Sequence, residues 1–397
     1  MQWTPTRAAG LARLTAFVPH AGKAYTRNRN SDLGPTDRSN VSALSPYLAR
    51  RMITESEVID AVLSAHGFLA AEKFIQEVFW RTYWKGWLEL RPSVLVAFNQ
   101  ERLAVRAQLA DDTRLCARVI AAQQGQTGIT CFDAWVGELK ELGWLHNHTR
   151  MWFASIWIFT LELPWQLGAD FFYKHLLDAD AASNTCSWRW VAGLHTKGKH
   201  YLARASNIAS NTNGRFNPVG QLNETAKPLQ EVFQIPGPAR LRDENPLLAD
   251  KVGLLITQED LHPKSLDIPA QVIGAATFSL APIGDANSPR NQFSAGAMVD
   301  ASARIVEDFG VEVVQTDTHE GVVNWAQSIG VTHVVTAYAP TGLIAWRLQE
   351  LRTILEQHDI ALVQIRRDWD SNAWLYATGG FFKLKEKLPS LLRPVLG

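Results

Sequence analysis

Cysteine is scarce in this 397-residue chain: Cys116, Cys131 and Cys186 are the only three, with no CxxC pair and no metal-ligand spacing to histidine. That pattern excludes a disulfide framework and an iron–sulfur cluster, leaves no metal expected, and implies a reducing compartment. No run of about 18 apolar residues is free of charge, and the opening MQWTPTRAAG lacks an apolar core. A soluble, cytoplasmic protein with no membrane partner is expected. HExxH and a Ser-His-Asp order are missing, and neither GxGxxG nor GxxxxGKS/T follows the first strand-like run of the C-terminal part. Metalloprotease, dinucleotide and nucleoside-triphosphate readings therefore have no support.

Net charge is absent too, since 39 Lys+Arg balance 39 Asp+Glu. Residues 1–240 nevertheless carry 26 basic against 20 acidic side chains and residues 241–397 carry 13 against 19, so the halves stand at +6 and −6. A mildly basic first part suits a polyanion, although ordinary scatter of surface charge gives the same count.

Tryptophan is plentiful. Of 15 residues, eleven precede position 241. Most must pack as core, while clustered indoles also suit planar ligands or electron relays. The densest stretch runs from Gly137 to Trp190. Within it Trp144, Asn147, His148 and Met151 are spaced to share one face of a helix, which reads as a pocket wall. Asp178, Asp180 and Asn184 follow FFYKHLL and precede Trp188 and Trp190. Carboxylates amid so much aromatic surface need partners, and Arg150 is the natural cation. Residues 72–90 pattern as an amphipathic helix with Glu77, Trp80, Arg81 and Trp84 on one face. Taken alone, this is a core stripe with a Glu77–Arg81 pair worth a few tenths of a kcal/mol.

Earlier in the chain, TRAAGLARLTAFV reads as a short helix leading into a polar loop. Residues 100–131 read as surface helices and a connector. Lys199, His200 and Arg204 lie in a basic, Asn-rich stretch that fits either phosphate contact or a solvated loop. Residues 221–246, with four prolines, are the linker candidate. Beyond them VGLLIT, AQVIGAAT, VEVVQT, THVVTAY and ALVQIR alternate with helical patterns, which argues for βαβ units and an open parallel sheet.

The segments GWLHNHTRM, LPWQLGADFF and LLDADAASNTCSWRW, matched in spacing, resemble the flavin-binding core of the DNA photolyase and cryptochrome family. VSALSPYL resembles the family's phosphate-holding segment, and the helix around Trp80 resembles its lesion-pocket helix. The resemblance implies a mainly α-helical FAD-binding domain over 1–220, a linker over 221–246, and an α/β Rossmann-like, antenna-type domain over 247–397. In relatives the α/β domain comes first, so the order here implies a circular permutation. A second, light-harvesting chromophore is implied as possible, but no motif identifies one.

Residue by residue, the resemblance implies FAD contacts at Tyr25, Val41, Ser42, Leu44, Ser45, Phe74, Arg150, Asp178, Asp180 and Asn184, with Asn184 facing the flavin N5 atom. Val41 stands where the family has Thr, and Phe74 where it has Trp. Lesion and DNA contacts are implied at Arg29, Glu77, Trp80, Arg81, Trp144, Asn147, His148 and Met151, with Glu77, Trp80, Asn147, Met151 and Asn184 closest to the reaction. Trp188 and Trp165 match the inner and middle members of an electron relay. The outer member is missing, leaving Trp152 or Trp157 as exits. Members acting on (6-4) photoproducts carry His at the Asn147 and Met151 positions, so the implied substrate is the cyclobutane pyrimidine dimer in UV-damaged DNA, single strands included. The implied enzyme is a deoxyribodipyrimidine photolyase. A cryptochrome-like blue-light photoreceptor and a flavin-free helical module are the competing readings.

Overall fold

The computed structural model describes residues 3–243 and 246–392. Eleven helices come first: α1 Arg7–Phe17, α2 Lys23–Asn28, α3 Ser45–Ala49, α4 Glu55–Glu89, α5 Ser93–Asp111, α6 Thr113–Gln124, α7 Thr130–Leu142, α8 Asn147–Ser155, α9 Trp165–His175, α10 Ala181–Ala192 and α11 Ala205–Asn211. The pattern read over 72–90 is the second half of α4. This helix begins on a reciprocal capping box between Thr54 and Glu57 and bends at Gly67, whose φ of 67° few other residues adopt.

Trp144 is not on a helix with Asn147, His148 and Met151. Gly143, at φ 65°, ends α7, and the chain runs extended through Trp144 to His146 before α8 begins. The left-handed glycine stops the helix that the apolar spacing suggests is continuous.

The second part holds β1 Lys251–Ile256, β2 Gln271–Phe278, α12 Pro289–Phe309, β3 Val313–Thr316, α13 His319–Ser328, β4 His333–Ala337, α14 Leu343–Glu356, β5 Ala361–Ile365, α15 Asp368–Trp374, α16 Phe381–Lys385 and α17 Leu388–Leu391. Each of the five predicted strand runs coincides with one of these strands to within a residue or two at its ends. The sheet is parallel throughout in the order β3-β2-β1-β4-β5. Helices α13 and α14 cover one face, packing Val322, Trp325, Leu348 and Leu351 on Leu255, Val334 and Leu362. The apolar side chains of the other face, among them Val252, Leu254 and Val363, merge with the core of the helical part.

The two parts are therefore not beads on a string. Residues 221–243 have no helix or strand, yet Leu229 N–H donates to Ala192 O, Ala239 N–H to Leu90 O, and Glu231 pairs with buried Arg189. Residues 244 and 245 of the expected linker lie outside the described residues, as do 1–2 and 393–397 at the ends of the two expected domains. No helix among the described residues is long and apolar enough to cross a membrane.

Candidate functional site

A cavity of about 520 Å³ opens in the helical part between α4, α8, α10 and the loop before α3. Tyr25, Val41, Ser42, Leu44, Ser45, Phe74, Arg150, Asp178 and Asn184 line it, as do Arg29, Glu77, Trp80, Arg81, Trp144, Asn147, His148, Met151 and Trp188. Residues scattered over more than 160 positions of sequence are thus brought to one wall.

Two of the expected site residues lie elsewhere. Asp180 turns away to a second cavity, because its carboxylate is spent on capping α10 through Ser183 N–H and on pairing with Arg81. Trp165 is buried, but its closest ring neighbour is Phe98 at 5.2 Å, whereas Trp157 lies 6.4 Å from Trp188. Among the two exit candidates, Trp157 is the one whose ring meets Trp188. Lys199 and Arg204 are exposed, and His200 meets Ala226 O at 2.8 Å.

The acidic turn is held as its surroundings demand. Asp178 takes a forked pair of bonds from Arg150 at 3.0 and 2.9 Å. Burial alone would raise its pKa, but Arg150, Arg81 and a bond from Ser45 outweigh burial and keep the carboxyl below its ordinary value. The local Glu77–Arg81 pair does not form. Glu77 pairs with Arg29 across the cavity mouth and Arg81 with Asp180. Each finds a partner from another element that brings better geometry than a neighbour one turn away.

Sequence reasoning missed two members of the site. His146 is buried at the cavity wall, its Nε2 against Arg29 O at 3.1 Å and its Nδ1 accepting from His148 N–H at 3.2 Å. Burial pushes its pKa down to about 4. His148 in turn meets Asn30 O at 2.7 Å. Phe381, from the far end of the chain, stacks on Trp80 with centroids 3.8 Å apart and planes 12° apart. No local pattern marks Phe381. His146 follows Trp144 by two residues, a helix-cap position legible only once α7 is known to stop.

The lining suits a flavin nucleotide. The Ser183 hydroxyl is buried against the cavity with no partner, and Asn184 gives its Nδ2 to Ala169 O at 2.8 Å, leaving Oδ1 to the cavity. In the 41–45 loop Ala43 turns at φ 47°, and the Ser42 and Ala43 N–H groups have no acceptor among the described residues. Unpaired amides on a tight turn suit phosphate oxygens, and the apolar floor of Leu44, Phe74 and Trp188 suits a ring system.

A helical domain with such a pocket, fused to a parallel α/β module, defines a class of flavin-binding protein, and similarity to known proteins agrees. Residues 74–226 match the family described as the FAD binding domain of DNA photolyase. The chain is 32% identical over 194 residues to the deoxyribodipyrimidine photo-lyase of Agrobacterium fabrum, covering 48% of this chain and 39% of that protein. To the photo-lyase of Buchnera aphidicola it is 28% identical over 194 residues, with the same coverage. To cryptochrome-1 of Arabidopsis thaliana it is 28% identical over 209 residues, covering 48% and 28%. Among solved structures, a Synechocystis cryptochrome superposes with a TM-score of 0.43 at 22% identity, covering 52% of this chain and 43% of that one. A class III photolyase from Agrobacterium tumefaciens gives 0.41 at 27% identity, covering 53% and 43%. The matched region spans about two fifths of the length of the two photo-lyases. Over residues 74–226 the chain is thus similar to the FAD binding domain of photolyases and cryptochromes. Its cofactor is FAD.

Proposed function

We propose that the protein repairs cyclobutane pyrimidine dimers in DNA in a light-driven reaction, as a deoxyribodipyrimidine photolyase. One observation carries the reading: Glu77 and Trp80 on α4, Asn147 and Met151 on α8, and Asn184 on α10 converge on a single cavity. FAD, held by the 41–45 loop, Arg150, Asp178 and Asn184, would supply light-driven one-electron chemistry with no net consumption of electrons. The protein's own task is placement. Trp80 gives the lesion an aromatic wall. Glu77 accepts from the base edges when Arg29 turns from it to a backbone phosphate, and Trp144 and Arg81 brace the opposite side. Asn184 Oδ1 faces the flavin edge. The two positions that would carry imidazoles for proton transfer to a (6-4) lesion are Asn and Met, and buried His146 has both ring nitrogens engaged, which favours the cyclobutane dimer. The damaged bases must leave the stack to enter, which costs least in single strands or at lesions. We read the order of the two parts as a circular permutation, with the 247–397 module in the place of the antenna domain.

The second reading is a photoreceptor with the same pocket. The stacking of Phe381 on Trp80 favours it, because the protein itself occupies one face of the proposed lesion platform. Blue light on FAD-loaded protein with UV-irradiated oligothymidylate separates the two. Repair requires light-dependent loss of dimers. Flavin photoreduction without that loss removes repair and leaves signalling.

A further inference from the structure

The α/β module is acidic except at its end. Residues 241–375 hold 9 basic against 18 acidic side chains, whereas residues 376–397 hold 4 against 1. The fold gives this segregated charge a definite place. Helix α16 packs along the second half of α4, with Phe381 stacked on Trp80 at one end and Lys385 meeting Glu72 at 3.4 Å at the other. Glu77 lies between Trp80 and Glu72 on α4. The basic segment therefore borders the mouth of the flavin cavity, where Glu77 and Arg29 pair.

The side chains of this segment divide into two sets. Phe381, Leu384 and Leu388 are buried at helical spacing and hold α16 and the turn into α17 to the core. Phe382, Lys383 and Lys387 are exposed. Phe382 is 73% exposed, against 4% for the phenylalanine beside it. Lys383 donates to Thr378 Oγ1 at 3.1 Å and Lys387 lies 5.7 Å from the Tyr376 ring centre, and neither meets a carboxylate among the described residues. Lys73, exposed one turn before Glu77 on α4, adds a further cation to the same border. The acids along it are Glu72, taken by Lys385, and exposed Glu386.

Scattered singly, such residues are ordinary surface. Gathered beside a pocket that takes bases out of the stack, they match what a single strand requires: cations along the path of the backbone and an aromatic face for an unpaired base. A duplex offers its bases no such face.

We propose that α16 forms a rim of the DNA surface, where the strand running on from a lesion in the cavity lays phosphates against Lys383 and Lys387 and stacks an unpaired base on Phe382. The inference rests on the repair reading above and gives the α/β module a direct share in holding DNA. The test is fluorescence anisotropy of the FAD-loaded chain with UV-irradiated oligothymidylate over a range of salt, beside competition by the thymine-dimer dinucleotide, which has no flanking strand. In the double variant Lys383→Gln, Lys387→Gln the log–log salt slope should be shallower by about 1.4, at about 0.7 per phosphate contact of a single strand. Arginine at both positions should restore it. Phe382→Ser should weaken the oligonucleotide about fivefold or more. Affinity for the dinucleotide should stay at the parent's value in all of them, and Lys251→Gln, exposed at the start of β1, should change neither slope nor affinity. Slope and affinity unchanged in the α16 variants overturn the inference and leave the repair reading standing, and so does an equal loss of oligonucleotide and dinucleotide. A parent that binds neither substrate removes both.

Discussion

Asp178 is 2% exposed, and its charge rests on Arg150, with Arg81 3.7 Å away and Ser45 assisting. Removing one partner of a buried pair leaves the other uncompensated, so Arg150→Met should cost about 3 kcal/mol in urea unfolding and weaken FAD retention. A loss below about 1 kcal/mol would mean that Arg81 suffices alone. His146 gives a pH signature. Its folded pKa of about 4 lies below the ordinary value of 6.5, so the unfolded chain takes up the proton first as pH falls. Its contribution is intact above about pH 6.5 and is lost progressively down to about pH 4, by up to about 3 kcal/mol. Glu138, raised to about 7 mainly by burial, slopes the opposite way. The measurement is therefore a comparison of stability against pH for the parent and His146→Asn. The variant's acid limb should be shallower, and parallel limbs would remove His146 as the cause.

At the scale of elements, α4 is the spine on which both parts are mounted. Its second half presents Glu77, Trp80 and Arg81 to the cavity, while α10 and α15 pack along it and α16 closes over Trp80. Phe381 is buried, so Phe381→Ala should cost about 3 kcal/mol by opening a hole beside α4. It should leave the flavin spectrum intact and uncover a face of Trp80. If the repair reading holds, lesion affinity then changes while FAD occupancy does not, as lesion-binding and absorption measurements can show. The amphipathic spacing of α4 was legible because helical period and side-chain chemistry coincide over many turns. The stop at Gly143 also had a local cause, yet the apolar run through it imitated a continuous face. The Glu77–Arg81 pair failed for a different reason: spacing permits a contact, but competing partners from other elements decide whether it forms.

At the scale of the molecule, the two parts share one core and a set of buried bridges. Arg51, in the turn before α4, bonds Glu55 at the start of that helix and reaches Asp370 of α15, and Glu89 accepts from Tyr338 and Thr341. Such an interface leaves neither part with a finished surface. Scanning calorimetry should give a single transition for the whole chain, and two resolved transitions would show that the parts are energetically separate. The bridges cross sequence separations of 249 to 319 residues, so no window of sequence contains both partners of any of them.

Local chemistry was enough to fix the five strand runs and the alternation of strands and helices, whereas most of the residues that line the flavin cavity were legible through the resemblance of their motifs to a known family. Period, turn residues and motif spacing are properties of neighbouring positions. The partners of Glu77 and Arg81, the turning away of Asp180 and the covering of Trp80 by Phe381 were decided only in three dimensions. Each depends on which of several distant groups arrives closest in the packed chain, and a linear sequence does not rank those distances.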